Sequence, residues 1–166
     1  MAVAVLFWSG CSSSSDTSGV TTPVESEQSA IATAEALPLI TALEQTPFSA
    51  DAAAQRTVLT AWTVASPDIG PLVVDDRYIV HLQEGTHPYG SELFLQYMFG
   101  LARAQATMEG PSHADVIESG LRSLLAAYKS MVLADNSLHD RFLDDLDDLR
   151  RRGKLREYII GIDRRR

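Results

Sequence analysis

The chain has 166 residues, of which 45% are hydrophobic, and this length suffices for one domain with its own core. Its formal net charge is -8 at pH 7, and such an acidic surface repels nucleic-acid phosphates, so we expect no nucleic-acid partner. A single cysteine excludes both an intramolecular disulfide and a zinc site built from several thiolates.

The most distinctive pattern surrounds that cysteine, Cys11. Residues 1–8 form an uncharged apolar run, Ser9 and Gly10 are small, and Cys11 follows them. This pattern resembles the lipobox of bacterial lipoproteins, in which small residues precede an invariant cysteine that receives a lipid once the leader is removed. The resemblance implies a signal-peptide remnant over residues 1–10 and a membrane anchor on Cys11.

Two features depart from the usual lipobox pattern. A secretory signal normally begins with Lys or Arg, whereas residues 1–8 carry no charge, and Trp8 occupies the position where an aliphatic residue is usual. A translation start upstream of Met1 accounts for the short, uncharged leader. The alternative is a buried N-terminal helix or strand that carries a free core cysteine.

Residues 12–29 are dominated by Ser, Thr and other small or polar types. Because they offer little apolar surface to bury, we expect a flexible tether from 11 to 29 and a folded domain from 30 to 166. A coil of this length has a root-mean-square span of about 23 Å. With Ser12 rather than Asp after the cysteine, lipoprotein sorting implies export to the cell envelope, and to the outer membrane where the cell has one.

Beyond the tether, apolar residues recur with the helical period of 3.6 and predict an all-α domain of antiparallel hairpins. Helices are expected over 31–45, 49–65, 88–109 and 112–134, followed by one begun by the capping signature at 137–140 and by a short turn after Gly153. Pro38 predicts a kink or two short helices in the first segment. For residues 72–84 a helix is favoured, and a β-hairpin is the alternative.

Residue-level expectations accompany these helices. Ser49 and Ser112 are predicted to cap the second and fourth helices. Val58 and Trp62 are expected on the buried face of the second helix, and Leu93, Tyr97 and Leu101 on that of the third.

The segment Tyr97-Met98-Phe99-Gly100-Leu101-Ala102 resembles the first helix of a tetratricopeptide repeat, and Tyr128 with Met131 and Asp135-Asn136 resembles the end of the second helix. The resemblance implies a helical hairpin of a kind used in binding arrays. Gly100 and Tyr128 lie 28 positions apart, about twelve more than in a regular repeat of 34 residues. A close approach of a neighbouring helix is the alternative explanation for Gly100.

Acidic and histidine residues are present without the spacing of a known site. The run from Asp144 to Asp148 lacks the alternating ligands of a calcium loop, and it predicts helix-surface ion pairs of Asp147 with Arg151 and of Asp148 with Arg152. The four histidines lie in separate segments, and no two have the i, i+4 spacing of metal ligands. We therefore predict no catalytic residue, metal site or cofactor.

Two functions remain from the sequence. The first is a membrane-tethered, non-catalytic binding or scaffold module for an envelope protein or peptide, with Tyr89 and His87 as candidate binding residues on a Gly- and Pro-rich loop. Tyr89 has an alternative role as a staple that folds back on the following helix. The second function is an enzyme or small-molecule binder with its site near Asp75, Asp76, His81 and His87.

Overall fold

The computed structural model describes residues 31–83 and 87–164, and within them it contains helices and turns but no β-strand. The predicted all-α fold is confirmed. The described residues form seven α-helices: α1 Thr33–Gln45, α2 Ala52–Ala65, α3 Val80–Gln83, α4 Gly90–Thr107, α5 His113–Ala134, α6 Arg141–Arg151 and α7 Leu155–Asp163. Single 3-10 turns precede α3 and α6. The expected leader, Cys11 and the tether lie outside the described residues.

An antiparallel hairpin of α4 and α5 forms the centre of the fold. The Ser119 hydroxyl donates to the Gly100 carbonyl at 2.7 Å, and the Gln96 amide donates to the Ser123 hydroxyl at 2.9 Å. Later residues of α5 therefore face earlier residues of α4. A Cβ built on Gly100 would lie 2.6 Å from the Ser119 carbonyl oxygen, so the two backbones are as close as a glycine permits. The close helix approach considered for Gly100 is observed.

Helix α4 is buried on two faces, which is more than its predicted single face. Its Leu93, Tyr97 and Leu101 belong to a core shared with α5, α6 and α7. Its Phe99 and Ala102 belong to a second core shared with α1 and α2. The same helix thus holds two layers together. The predicted core position of Trp62 is confirmed, since its side chain is fully buried, and Tyr78 is fully buried as well.

Pro38 does not interrupt α1, so the predicted kink into two helices is wrong. A proline at this position removes the N–H that would bond to the Ala34 carbonyl. Both residues are exposed, and water can satisfy that carbonyl. On the opposite face Ile40 and Leu43 are fully buried, and this packing keeps the helix continuous.

Helix α2 begins later than the sequence predicts, and it buries a different face. Its N-terminal residue is Ala52, and Ser49 lies outside it, with its backbone carbonyl accepting from the Ala52 N–H. The buried positions include Leu59 and Trp62, whereas Val58 is 38% exposed. Packing against α1 and α4 selects this face.

The segment 72–84 adopts neither the single helix nor the hairpin. Residues 71–75 have no regular secondary structure, Asp76–Tyr78 form a 3-10 turn and α3 follows. The Asp75 carboxylate accepts from the Arg77 N–H at 3.2 Å and thereby starts the helical geometry only at this point. Residue 84, the end of this segment, lies outside the described residues.

The expected start of α5 is confirmed, whereas that of α6 needs a correction. Ser112 and Asp115 form a reciprocal capping box at α5. Helix α6 is capped by Asp140, which accepts from the Leu143 N–H at 3.1 Å, because Ser137 is engaged in the preceding 3-10 turn. Gly153 follows the end of α6 with φ of +70°. The segment after it is the nine-residue helix α7 rather than the predicted short turn.

The predicted surface ion pairs of α6 are also confirmed. Arg151 lies 3.2 Å from Asp147, and Arg152 lies 2.6 Å from Asp148. These carboxylates are thus balanced within their own helix.

We expect Gly100→Ala to destabilise the domain by about 1–3 kcal/mol, because the added methyl group meets backbone that cannot move independently. Gly161→Ala is a matched control on α7, where an added Cβ meets nothing within 4 Å. That change should be neutral or stabilise by up to about 1 kcal/mol through helix propensity. Urea unfolding followed by circular dichroism measures both, and equal effects of the two substitutions would contradict the close packing of α4 on α5.

Candidate functional site

A cavity of about 680 Å³ lies at the N-terminal end of α4, and we call it the α4 cavity. This volume falls within the range of binding pockets, about 300–1,000 Å³. Its walls are mostly apolar. They are formed by Leu82, His87, Pro88, Gly90, Ser91, Phe94 and Leu95.

A groove of about 480 Å³ lies beside this cavity, between α2 and α4, and we call it the α2–α4 groove. Leu95 lines both spaces, so they share a wall. Val64 in the groove is 84% exposed. The remaining lining residues all come from α2: Arg56, Thr57, Thr60 and Ala61.

The predicted binding residue Tyr89 lies between Pro88 and Gly90, two residues that line the α4 cavity. Its ring centroid is 4.8 Å from that of Phe48, on the loop between α1 and α2. Tyr89 is half-buried and packs against the core, while Phe48 is 44% exposed. The Tyr89 ring therefore packs inward on one side and forms, with Phe48, a partly exposed aromatic pair on the other.

The second predicted binding residue, His87, is buried in the wall of the α4 cavity. Its Nδ1 accepts from the Tyr89 backbone N–H at 3.2 Å, which assigns the proton to Nε2. Nε2 in turn donates to the Leu138 carbonyl at 3.2 Å. Both ring nitrogens are thus engaged, and His87 ties the start of α4 to the connection between α5 and α6.

His81 forms a pair with Asp140 that no sequence spacing predicted. The His81 Nε2 lies 2.7 Å from the Asp140 carboxylate, and its ring lies 5.5 Å from that of Phe142. Although burial of Asp140 favours its neutral form, the Leu143 N–H and His81 outweigh that effect and lower its pKa. The pair lines a cavity of about 350 Å³.

A second group of hydrogen-bonded side chains lies beside this pair. The Tyr128 hydroxyl accepts from the Asp140 N–H and donates to the Asp144 carboxylate, both at 2.8 Å. Burial raises the pKa of Tyr128 and keeps the hydroxyl protonated. His139 lies 3.0 Å from the same carboxylate of Asp144. These bonds fix the start of α6 on α5.

The buried carboxylate of Asp75 belongs to a third group, which holds the C-terminal end of α7. The Arg77 guanidinium binds Asp75 through two nitrogens, one of them at 2.8 Å, and reaches Asp163 at 2.7 Å. The hydrogen bonds that Arg77 donates to the carboxylates of Asp75 and Asp163 raise the pKa of its guanidinium. Potential ligand atoms of Asp75, His113 and Asp163 lie within 4.8 Å of one another. Arg77 already supplies a positive charge to the two carboxylates.

The residues of the alternative, enzyme-like site belong to different bonded groups. Asp75 binds Arg77, His81 pairs with Asp140, and His87 bonds to the Leu138 carbonyl. Asp76 is exposed. The histidines nearest in sequence are thus used to attach separate parts of the fold.

Sequence reasoning missed Phe48 and Arg56. Arg56 is the only Lys or Arg in the first 76 residues. This isolated positive charge was the sequence feature that could have identified Arg56 as a candidate binding residue. Phe48 follows Pro47 in a short connection between two helices, where an exposed aromatic residue indicates recognition.

Among the described residues, no helix is both long enough and apolar enough to cross a membrane. The chain matches no protein-family model, no curated protein and no solved structure.

We expect Phe48→Ala and Tyr89→Ala to be coupled in a double-mutant cycle by about 0.5–1.5 kcal/mol of unfolding free energy, because the two rings contact each other. Met108→Ala, at the opposite end of α4 and 47% exposed, is the control partner for Tyr89→Ala. Their effects should be additive. Additivity of the Phe48 and Tyr89 substitutions would contradict the aromatic pair.

Proposed function

We propose that this chain is a lipid-anchored protein of the cell envelope whose helical domain binds a polypeptide partner without catalysing a reaction. The observation that carries the binding role is an apolar surface on one side of the domain. We call this surface the docking face, and it comprises the α4 cavity, the α2–α4 groove and the Phe48–Tyr89 pair.

The anchoring part of the proposal rests on the N-terminal sequence. An apolar run, two small residues, Cys11 and a Ser-rich stretch occur in the order expected of a lipoprotein. A folded helical domain begins at Thr33, which leaves about twenty residues between the anchor and the first helix. That spacer has the length needed to hold the domain clear of lipid headgroups.

The composition of the docking face supports a protein partner. Tyr, Phe and Arg are enriched at the centres of protein interfaces, and Tyr89, Phe48 and Arg56 lie together here, because Arg56 donates to the carbonyl of Pro47, the neighbour of Phe48. Val64, which lines the same groove as Arg56, is 84% exposed. Contiguous apolar exposure of this kind is characteristic of interaction sites.

The polar groups of the domain support a non-catalytic role. Both nitrogens of His87 are used in hydrogen bonds that join backbone segments. His139 pairs with Asp144, whose carboxylate also accepts from Tyr128. Such groups attach one helix to the next.

A catalytic or small-molecule role near Asp75, Asp76, His81 and His87 is the second candidate. The observation that favours it is the His81–Asp140 pair in its cavity of about 350 Å³, since a carboxylate that orients a histidine is the arrangement of a general base. His81→Gln would distinguish the candidates: loss of a measured turnover with an unchanged fold supports the second.

Mass spectrometry of the native N-terminus tests the anchor. We expect a mature protein that begins at Cys11 and carries acyl groups, because the leader resembles a lipobox. Cys11→Ser should leave the protein unprocessed and free of lipid, while Ser12→Ala, a matched neighbour, should be processed normally. Native protein that retains residues 1–10 with an unmodified cysteine would contradict the proposal.

Affinity capture from detergent-solubilised envelope tests the docking face. Val64→Asp should remove the captured partner, because it places a charge in the apolar α2–α4 groove. Val73→Asp is the control, since Val73 is 64% exposed and lies in the irregular segment before α3. Equal capture by both variants would place the partner elsewhere on the domain.

A further inference from the structure

We propose that the α2–α4 groove receives an amphipathic helix of a partner polypeptide and that a carboxylate on this helix binds Arg56. This inference rests on the proposed binding function and specifies the chemistry of the partner. It follows from the charge, the partners and the position of one arginine.

Arg56 lines the groove, is half-buried, and donates from Nη2 to the Pro47 carbonyl at 2.8 Å. A guanidinium carries five N–H donors in a planar fork that matches a carboxylate. Within residues 31–83 and 87–164, no carboxylate lies within ion-pair distance of Arg56. Most other arginines in these ranges do have such a partner: Arg77, Arg103, Arg122, Arg150, Arg151, Arg152 and Arg156.

The charge pattern of the chain makes this isolation informative. Arg56 is the only basic residue among the first 76, although the whole chain has a net charge of -8. An acidic chain has many carboxylates with which to neutralise an arginine. At this position it instead presents the cation in a groove that also exposes Val64.

Covering the groove would remove water from the guanidinium. Burying a charge without a counter-charge is costly, whereas a bidentate carboxylate compensates for the lost hydration. An entirely apolar partner would therefore bind poorly, and a basic partner would be repelled. The partner that fits has apolar residues for Val64 and Leu95 and an acid for Arg56.

The shape of the groove favours a helix as the occupant. Thr57, Thr60, Ala61 and Val64 recur at intervals of three and four along α2 and form a ridge of small side chains. Small residues allow another helix to approach closely. From Arg56 to Val64 the groove spans about 12 Å, or two helical turns, which matches recognition through residues at i, i+3 or i+4, and i+7.

The experiment selects displayed random 16-residue peptides on the full chain and measures the enriched peptides by fluorescence anisotropy. We expect enriched sequences with apolar residues at helical spacing and an Asp or Glu at a fixed offset from them. Arg56→Gln should weaken their binding at least tenfold, and Arg56→Glu should favour the same peptide with Lys in place of its acid. Arg141→Gln, a substitution of an exposed arginine outside the docking face, should bind as the unmodified chain does.

Several outcomes would overturn the inference. The groove does not recognise a carboxylate if the enriched peptides lack an acid. The same conclusion follows if the peptides bind Arg56→Gln and the unmodified chain equally. Displacement of the peptides by dodecanoate at equal concentration would indicate a lipid site. Self-association of the chain that Val64→Asp abolishes would assign the groove to a second copy.

The result separates this inference from the proposed function. Peptides that lose binding in Val64→Asp but not in Arg56→Gln would leave the docking face in place and refute only the role of Arg56. Peptides unaffected by either substitution would refute both the docking face and the carboxylate.

Discussion

The contact between α4 and α5 at Gly100 and Gly120 is the constraint on which the rest of the domain depends. A Cβ at either position would lie within 2.8 Å of atoms on the other helix. The Ser119 hydroxyl bonds to the Gly100 carbonyl at the point of closest approach. With the two axes held this close, Tyr97, Leu101 and Leu124 pack into one buried core.

A partly buried polar network attaches α1 to this hairpin and thereby determines where α2 lies. The Glu44 carboxylate accepts from Arg103 at 2.9 Å and from the Ser123 hydroxyl at 2.6 Å, and Ser123 in turn accepts from Gln96. Every member of this network has a hydrogen-bond partner. A fully hydrogen-bonded network of this kind favours one packing arrangement of the helices over others. Because α2 follows α1 after a short connection, the position of the docking face depends on Glu44.

The elements that sequence reasoning predicted correctly are those in which several local signals agree. In α5, the capping box at Ser112 and a long apolar period specify one start and one face. Where two capping residues stand close together, as with Ser137 and Asp140, local chemistry does not decide between them. The pairing of Asp140 with His81, which lies 59 positions away, decides it instead, and the Asp140 carboxylate then accepts from the Leu143 N–H.

The docking face was less predictable than the fold, because it consists of side chains that the packing of the helices leaves exposed. Tyr89 could be proposed from its Gly- and Pro-rich surroundings, but its contact with Phe48 depends on how the α1–α2 loop meets the start of α4. Val58 was expected on the buried face of α2, yet it is 38% exposed, and Val64, on which sequence reasoning was silent, is 84% exposed.

Arg77 and Arg56 differ in their partners. An arginine with an ion-pair partner in the domain stabilises the fold, whereas one without such a partner can bind a carboxylate from another molecule. Arg77 forms ion pairs with both Asp75 and Asp163. Its charge therefore joins the segment before α3 to the end of α7. Arg56 bonds to a single backbone carbonyl and faces a groove with Thr, Ala and Val side chains. A structural role at Arg56 would require only the Pro47 bond, which a lysine or glutamine could also donate. A planar fork with further donors beside an apolar groove is suited to recognising a carboxylate that arrives from outside the domain.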